Sequence, residues 1–125
     1  MLHPLRARAA AWLGVAAEEL THVLIAEYRP GTPLGWHRDV PDFEEIVGIS
    51  LCNDAVMQLR PYRPGGASNP DAGTLQLLLE PRSIYWLRGA ARWAWQHSIA
   101  PAEALRYSIT LRTPSRRRAG STTGR

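Results

Sequence analysis

Six short strand-like segments, most of them followed by Gly, Pro or Asn, constrain this chain more than any other feature of its sequence. They are rich in β-branched, aromatic and leucine residues and cover 21–29, 46–51, 55–60, 74–79, 83–87 and 105–111. A stretch from Pro4 to Leu13, closed by Gly14, has the composition of a helix, whose periodicity predicts a buried Trp12. The pattern predicts an all-β core, an antiparallel sandwich or small barrel, with a short N-terminal helix.

Length and charge limit the domain organisation and the choice of partner. The chain has 125 residues, which is enough for one domain. Its net charge is +4 and all fifteen basic residues are arginine, which suits a polyanion such as nucleic acid. The Ser-, Gly- and Arg-rich end holds four of these arginines. We therefore expect a folded core at 1–113 and a disordered basic tail at 114–125.

The location of the protein is predicted from what the sequence contains at its start and in its longest apolar runs. No run approaches the ~18 apolar residues of a membrane span, and the start lacks the pattern of a secretory signal. The single cysteine, Cys52, excludes an intrachain disulfide. Its place at a strand end predicts a buried thiol. We expect a cytoplasmic protein with no membrane association.

The pattern His37-x-Asp39 is the first sign of chemistry. On an extended chain, residues i and i+2 face the same side, so this imidazole and carboxylate can reach one ion. His97 is the best placed third ligand, because His3 lies near the terminus and His22 is expected at the surface. Two histidines and one carboxylate form the facial set that holds ferrous iron, whereas structural zinc usually takes four ligands. A hydrogen-bonded core or surface histidine is the alternative for His97.

The last strand-like segment alternates almost perfectly between apolar and polar residues. Its polar face carries Arg106, Ser108, Thr110 and Arg112. Burying such a face is costly unless an anion meets it, and arginine suits bidentate recognition of a carboxylate. Six strand residues span about 20 Å, so we expect Arg106 to make the strong bond to a carboxylate and Arg112 to line the same pocket. A solvated polar face is the alternative.

Taken in order, these residues resemble the pattern of AlkB-like Fe(II)- and 2-oxoglutarate-dependent dioxygenases, in particular bacterial members. The pattern consists of Tyr28, the His37-x-Asp39 pair, His97 and the segment 106–112. The resemblance covers roughly residues 20 to 113. It implies a double-stranded β-helix, a jelly-roll of two sheets with the metal at one open end.

The resemblance also implies roles for individual residues and a reaction. Fe(II) would be bound by the catalytic set His37, Asp39 and His97. The co-substrate 2-oxoglutarate would be bound by Tyr28, Arg106, Ser108 and Arg112. With O₂ as the second co-substrate, the reaction would be oxidative dealkylation of alkylated nucleobases in single-stranded DNA or RNA, as in DNA alkylation repair. The active form would be a monomer.

Two departures from the family pattern keep alternatives open. Ala26 and Ser108 stand where relatives often carry asparagine. Relatives also usually have a nucleotide-recognition lid before the equivalent of Met1, so we expect a catalytic core that lacks this N-terminal segment and dealkylates poorly. The same iron chemistry on a protein or small-molecule substrate is one alternative. The other is an inactive nucleic-acid-binding fragment, in which bases would contact side chains that otherwise pack in the core or at the surface: Trp36, Trp93, Trp95, Arg38, Arg60 and Arg63.

Overall fold

The computed structural model describes residues 2–62 and 73–116. The elements along the chain are α1 (His3–Leu13), β1 (His22–Tyr28), β2 (Leu34–His37), β3 (Phe43–Leu51), β4 (Ala55–Pro61), β5 (Leu75–Leu79), β6 (Ser83–Leu87), α2 (Gly89–Trp93), β7 (Trp95–Ile99) and β8 (Arg106–Pro114). Residues 63–72, between β4 and β5, and most of the predicted basic tail lie outside the described residues. Within them, β8 continues through Pro114, and Ser115 is buried with its N–H donating to the Asp42 carbonyl.

All six predicted strands and the predicted helix are present, with their ends shifted by no more than three residues. Strands β2 and β7 and the short helix α2 were not predicted. Strand β2 has four residues, including Gly35, and lies between Pro33 and Pro41, so its local sequence is typical of a loop. Its strand conformation comes from pairing with β7, which is distant in sequence. His97 accordingly lies inside a strand of its own rather than just after β6.

The eight strands form two antiparallel sheets of four strands each. Sheet A has the order β1-β8-β3-β6, and sheet B has the order β2-β7-β4-β5. Apart from the β4–β5 hairpin, each strand is followed by one in the other sheet. This winding is a jelly-roll, which confirms the predicted double-stranded β-helix with its N-terminal helix. No helix in the described ranges has the length and apolar content that a membrane crossing requires.

The alternation of β8 separates the structural core from the interior of the jelly-roll. Its apolar residues Ile109 and Leu111 pack on the outside of sheet A, together with Val47 of β3 and the buried face of α1. The polar residues of β8 therefore face inward, between the two sheets. One strand thus contributes to the hydrophobic core through one face and to an internal polar cavity through the other.

Two predictions about burial are wrong. Cys52 is exposed, with a φ of 82°, because β3 ends at Leu51 and the chain reverses direction there. Trp12 is 50% exposed and lies against Trp86, with ring centroids 5.5 Å apart. The buried face of α1 is formed mainly by alanines, which leaves the large indole at the margin of the helix.

Gly48 of β3 lies where a larger residue cannot fit. It is paired with Tyr85 of β6, whose aromatic ring occupies the space that a β-carbon at position 48 would need. Burial raises the pKa of Tyr85 to about 12, so this side chain is a neutral phenol at physiological pH. The absence of a side chain at Gly48 is therefore what allows Tyr85 to lie across the inner face of sheet A.

We expect Gly48→Ala to lower the free energy of unfolding by about 1–3 kcal/mol, because the added methyl group must displace the Tyr85 ring or the backbone. Urea unfolding followed by circular dichroism measures this change. Gly35→Ala is the matched control, since a β-carbon there meets no atom within 4 Å and the backbone has no positive φ. Equal stability of the two variants would contradict the packing described for Tyr85.

Candidate active site

The two candidate histidine ligands come from neighbouring strands of sheet B. His37 is the last residue of β2 and is directly paired with His97 of β7. The pairing shifts by one residue between Leu34 and His37, as in a β-bulge. Without this shift, Trp36 would lie opposite His97. The irregularity therefore brings the two imidazoles together, with ring centroids 4.2 Å apart.

Asp39 completes a compact group of three possible metal ligands. One ligand atom from each of His37, Asp39 and His97 lies within 4.8 Å of the other two. The Oδ1 atom of Asp39 is 3.6 Å from Nε2 of His37 and 3.8 Å from Nε2 of His97. Nδ1 of His37 lies 2.8 Å from the Gly35 carbonyl, to which it donates when protonated, leaving Nε2 for a metal. The structure thus brings together the three predicted ligands.

Arg112 holds the second oxygen of Asp39. Its Nε donates to Asp39 Oδ2 at 2.7 Å, and its Nη1 donates to Thr110 Oγ1 at 2.8 Å. Oδ1 is consequently left facing the imidazoles. Arg112 lines the predicted pocket, but its direct partner in the structure is the candidate metal carboxylate. Sequence spacing could not reveal this contact, because the two residues are 73 positions apart.

The surroundings of these three groups shift their pKa values and so determine which of them carry a proton. Burial alone would raise the pKa of Asp39, but the neighbouring His37 imidazole and the hydrogen-bonded Arg112 guanidinium together hold it well below its usual range. Burial lowers the pKa of His97 to about 4, so its imidazole is neutral near pH 7. The Asp39 carboxylate, 3.6 Å from Nε2, raises the pKa of His37 above its ordinary value. The metal-free site therefore presents a carboxylate, a neutral imidazole and one imidazole that competes for a proton.

Iron binding is expected to weaken as the pH falls, because a metal must displace the proton held by His37. Below the raised pKa of His37, the apparent affinity should fall about tenfold per pH unit, and above it the affinity should level off. His97 adds no second proton until about pH 4. Anaerobic Fe(II) titration between about pH 5.5 and about pH 8 measures the slope. A loss of about a hundredfold per unit would contradict this account, since it requires both histidines to bind protons.

Arg106 supplies a positive charge inside the jelly-roll. It is 1% exposed, its Nε donates to Ser50 Oγ at 3.0 Å, and its guanidinium lies 5.1 Å from the centre of the Tyr28 ring. Among the described residues, no carboxylate pairs with it. Burial lowers its pKa, which reflects the cost of keeping this cation out of water. An anionic ligand would offset that cost.

A single cavity of about 260 Å³ between the two sheets connects the metal ligands with Arg106. All seven predicted site residues line it: Tyr28, His37, Asp39, His97, Arg106, Ser108 and Arg112. The prediction missed Tyr85, which also lines the cavity, and Ser50, which accepts the hydrogen bond from Arg106. The alternation within 83–87 could have indicated that Tyr85 faces inward, whereas nothing in the sequence singles out Ser50.

Helix α2 holds the loop that carries Asp39. Arg92 is 2% exposed, and its Nη2 donates to the carbonyls of Val40 at 2.8 Å and Phe43 at 2.9 Å. From the other side, Arg38 Nη1 donates to the Trp93 carbonyl at 2.7 Å. Both neighbours of Asp39 along the chain are thereby tied to α2. These contacts were not predicted, because they depend on a helix that the sequence did not indicate.

The arrangement fits ferrous iron and a dicarboxylate. Two imidazole nitrogens and one carboxylate oxygen lie close enough to bind one ion, and a three-ligand set leaves coordination positions open for other molecules. In the same cavity, the buried guanidinium of Arg106 has no carboxylate partner among the described residues. A ligand with a metal-binding group at one end and a carboxylate at the other would satisfy both.

Comparison with known proteins supports the same assignment. Residues 1–118 match the family model of the 2OG-Fe(II) oxygenase superfamily. The chain is 35% identical over 97 residues to the bovine alpha-ketoglutarate-dependent dioxygenase alkB homolog 7, mitochondrial, covering 76% of this chain and 41% of that protein. It is 35% identical over 98 residues to the alkylated DNA repair protein ALKBH8 homolog of Arabidopsis thaliana, covering 69% of this chain and 28% of that protein. It thus spans less than half the length of these relatives.

A solved structure supports the fold alone. The dTDP-4-dehydrorhamnose 3,5-epimerase of Elizabethkingia anophelis superposes with a TM-score of 0.55 at 8% identity, covering 87% of this chain and 58% of that one. The match across residues 1–118 carries the family assignment. Because the ligand cluster lies within that match, the family also accounts for the chemistry of the cavity. The chain belongs to the 2OG-Fe(II) oxygenase superfamily, whose members are dioxygenases that use Fe(II), 2-oxoglutarate and O₂.

Proposed function

We propose that this dioxygenase removes alkyl groups from nucleobases in single-stranded DNA or RNA by oxidation. The observation that carries the proposal is one cavity with a three-ligand metal cluster and a buried guanidinium that has no carboxylate partner in the described part of the chain, the arrangement that 2-oxoglutarate requires. The choice of substrate is supported by two relatives, whose names describe an alkylated DNA repair protein and a tRNA methyltransferase.

In this proposal, each side chain of the cavity has a defined part. His37, Asp39 and His97 would hold the iron. Arg106 would bind the distal carboxylate of 2-oxoglutarate as a charge-assisted pair, with the Tyr28 and Ser108 hydroxyls nearby. The iron held by these three residues would supply the activation of O₂, with one oxygen atom entering succinate as 2-oxoglutarate loses CO₂ and the other hydroxylating the N-alkyl carbon. A hydroxylated N-alkyl carbon then breaks down to an aldehyde and the restored base.

The edges of the two sheets provide a route for the substrate. Leu24 of β1 and Leu34 of β2 both line the cavity and are 54% and 36% exposed. β1 and β2 are edge strands of opposite sheets, so the cavity has apolar walls where the sandwich opens. An extruded base is flat and largely apolar on its faces, which suits such an entrance.

The test is demethylation of a single-stranded oligonucleotide carrying an N-methylated base, with formaldehyde and succinate measured together. We expect formaldehyde in an amount equal to the succinate formed above the slow release without oligonucleotide, and both products only when Fe(II) and 2-oxoglutarate are present. Formation of succinate with no loss of methyl groups from DNA or RNA would contradict the nucleobase assignment. The remaining alternative would then be the same iron chemistry on a protein or small-molecule substrate.

A further inference from the structure

The outer face of sheet B carries a cluster of arginines and aromatic rings directly behind the metal ligands. Side chains alternate along a strand, so Trp36 and Gln96 face outward where their neighbours His37 and His97 face the cavity. The Arg60 guanidinium lies 4.2 Å from the centre of the Trp36 ring, and its Nε donates to Gln96 Oε1 at 2.9 Å.

A second stacked pair continues this surface. The Arg38 guanidinium lies 3.6 Å from the centre of the Tyr62 ring. Arg38 is two residues after Trp36 in the chain, and Tyr62 is two residues after Arg60. Arg38 is exposed, and its contact with the Trp93 carbonyl involves Nη1 alone. Two guanidiniums therefore lie over aromatic rings on one face, next to the edge strand that borders the cavity.

No strand of sheet B contributes a negative charge to this face. The strands of sheet B read LGWH, AVMQLRP, LQLLL and WQHSI, without an aspartate or glutamate. Gln58 and Gln76 are cross-strand partners further along the same face. Amides, rings and guanidiniums are the groups that contact the phosphates and bases of single strands.

We propose that this face, formed by Trp36, Arg38, Arg60, Tyr62 and Gln96, binds the single strand that flanks the base in the cavity. The inference rests on the proposed function for its choice of partner. A strand passing over the edge strand β2 would bring one nucleotide to the cavity entrance and its neighbours onto this face. Each stacked guanidinium offers its free surface to a base and its N–H edge to a phosphate. An acidic protein could pair with the arginine charges, but it would bring no bases to stack on the aromatic rings or on the guanidiniums.

The test measures binding of a fluorescein-labelled oligothymidylate to the metal-free protein by anisotropy, across a series of salt concentrations. The variant is Arg38→Gln with Arg60→Gln. The control is Arg8→Gln with Arg88→Gln, which removes the same charge from the side of the molecule formed by sheet A and α1. Arg88 matches the tested arginines because its guanidinium also lies over a ring, 3.9 Å from the centre of Trp86. Arg60→Gln alone is measured too, since position 60 is not adjacent to a metal ligand in the chain.

We expect the Arg38/Arg60 variant to bind about tenfold more weakly at low salt, with a salt slope reduced by up to about 1.4, or about 0.7 per lost phosphate contact. The control should change less than twofold, and 2-oxoglutarate turnover without nucleic acid should stay unchanged in Arg60→Gln, which leaves the Asp39 loop and its contact with α2 intact. Equal weakening by the control, or equal loss of binding to a polyglutamate peptide, would overturn the proposal. Dealkylation with unchanged binding by the variant would overturn it while leaving the proposed function intact. Binding through this face without dealkylation would support this inference and contradict the proposed function.

Discussion

We expect His97→Ala to abolish iron-dependent formation of succinate, and Asp39→Ala and His37→Ala to do the same. Each substitution removes one of three ligand atoms that lie within 4.8 Å of one another, and two remaining ligands cannot hold the iron in a defined geometry. His97→Ala is the cleanest of the three, because the neutral imidazole can be removed without leaving a buried charge unpaired. Turnover of 2-oxoglutarate by the purified variants, with bound iron measured in parallel, provides the test.

The control for this prediction is His3→Ala, which removes an exposed imidazole at the start of α1 and should retain full turnover. Asp39→Ala carries a second expected effect, since it leaves Arg112 unpaired in a site where the two side chains are 13% and 7% exposed. Breaking such a pair costs about 3–5 kcal/mol, so thermal unfolding must accompany the assay. Folded variants with normal iron content and normal turnover would contradict the ligand assignment.

Arg106→Ala is expected to weaken 2-oxoglutarate binding by about 2–5 kcal/mol, roughly thirtyfold to several thousandfold, with iron binding unaffected. The buried guanidinium has no carboxylate partner among the described residues, so the co-substrate loses its strongest contact. Arg112→Ala should instead weaken the binding of iron. Its Nε holds Asp39, and loss of such support typically weakens metal binding by about 10–100-fold.

Separate titrations of Fe(II) and 2-oxoglutarate distinguish the two arginines. Arg106→Ala should also unfold at an unchanged or higher temperature in the absence of ligand, because a buried cation without its anion opposes folding. Added 2-oxoglutarate should stabilise the unsubstituted protein but not this variant. Equal losses of 2-oxoglutarate affinity in both variants would mean that the two guanidiniums converge on one carboxylate.

The sequence was sufficient for those parts of the site that depend on local periodicity. The alternation of β8 predicted that Arg106, Ser108 and Arg112 share a face, and all three line the cavity. The spacing of His37 and Asp39 predicted a shared side because it depends only on backbone geometry. The strands with β-branched and aromatic residues were likewise located, since their apolar residues fit a half-buried pleated surface.

The parts that were missed are those that depend on contacts distant in sequence. Strand β2 and its register shift against β7 cannot be deduced from a four-residue segment containing Gly35. The contact of Arg112 with Asp39 depends on how two sheets face each other, and the fit of Tyr85 over Gly48 depends on strand register. Tertiary pairing determined each of these features, so no local pattern could have indicated them.

The central claim is that the cavity between the sheets binds Fe(II) and 2-oxoglutarate together and turns over the co-substrate. Succinate release from 2-oxoglutarate, with and without ferrous iron and with no other substrate added, tests it most directly. We expect slow, iron-dependent release that saturates with 2-oxoglutarate and disappears in both His97→Ala and Arg106→Ala. Iron-independent release, or no release by folded protein that has bound both Fe(II) and 2-oxoglutarate, would contradict the account.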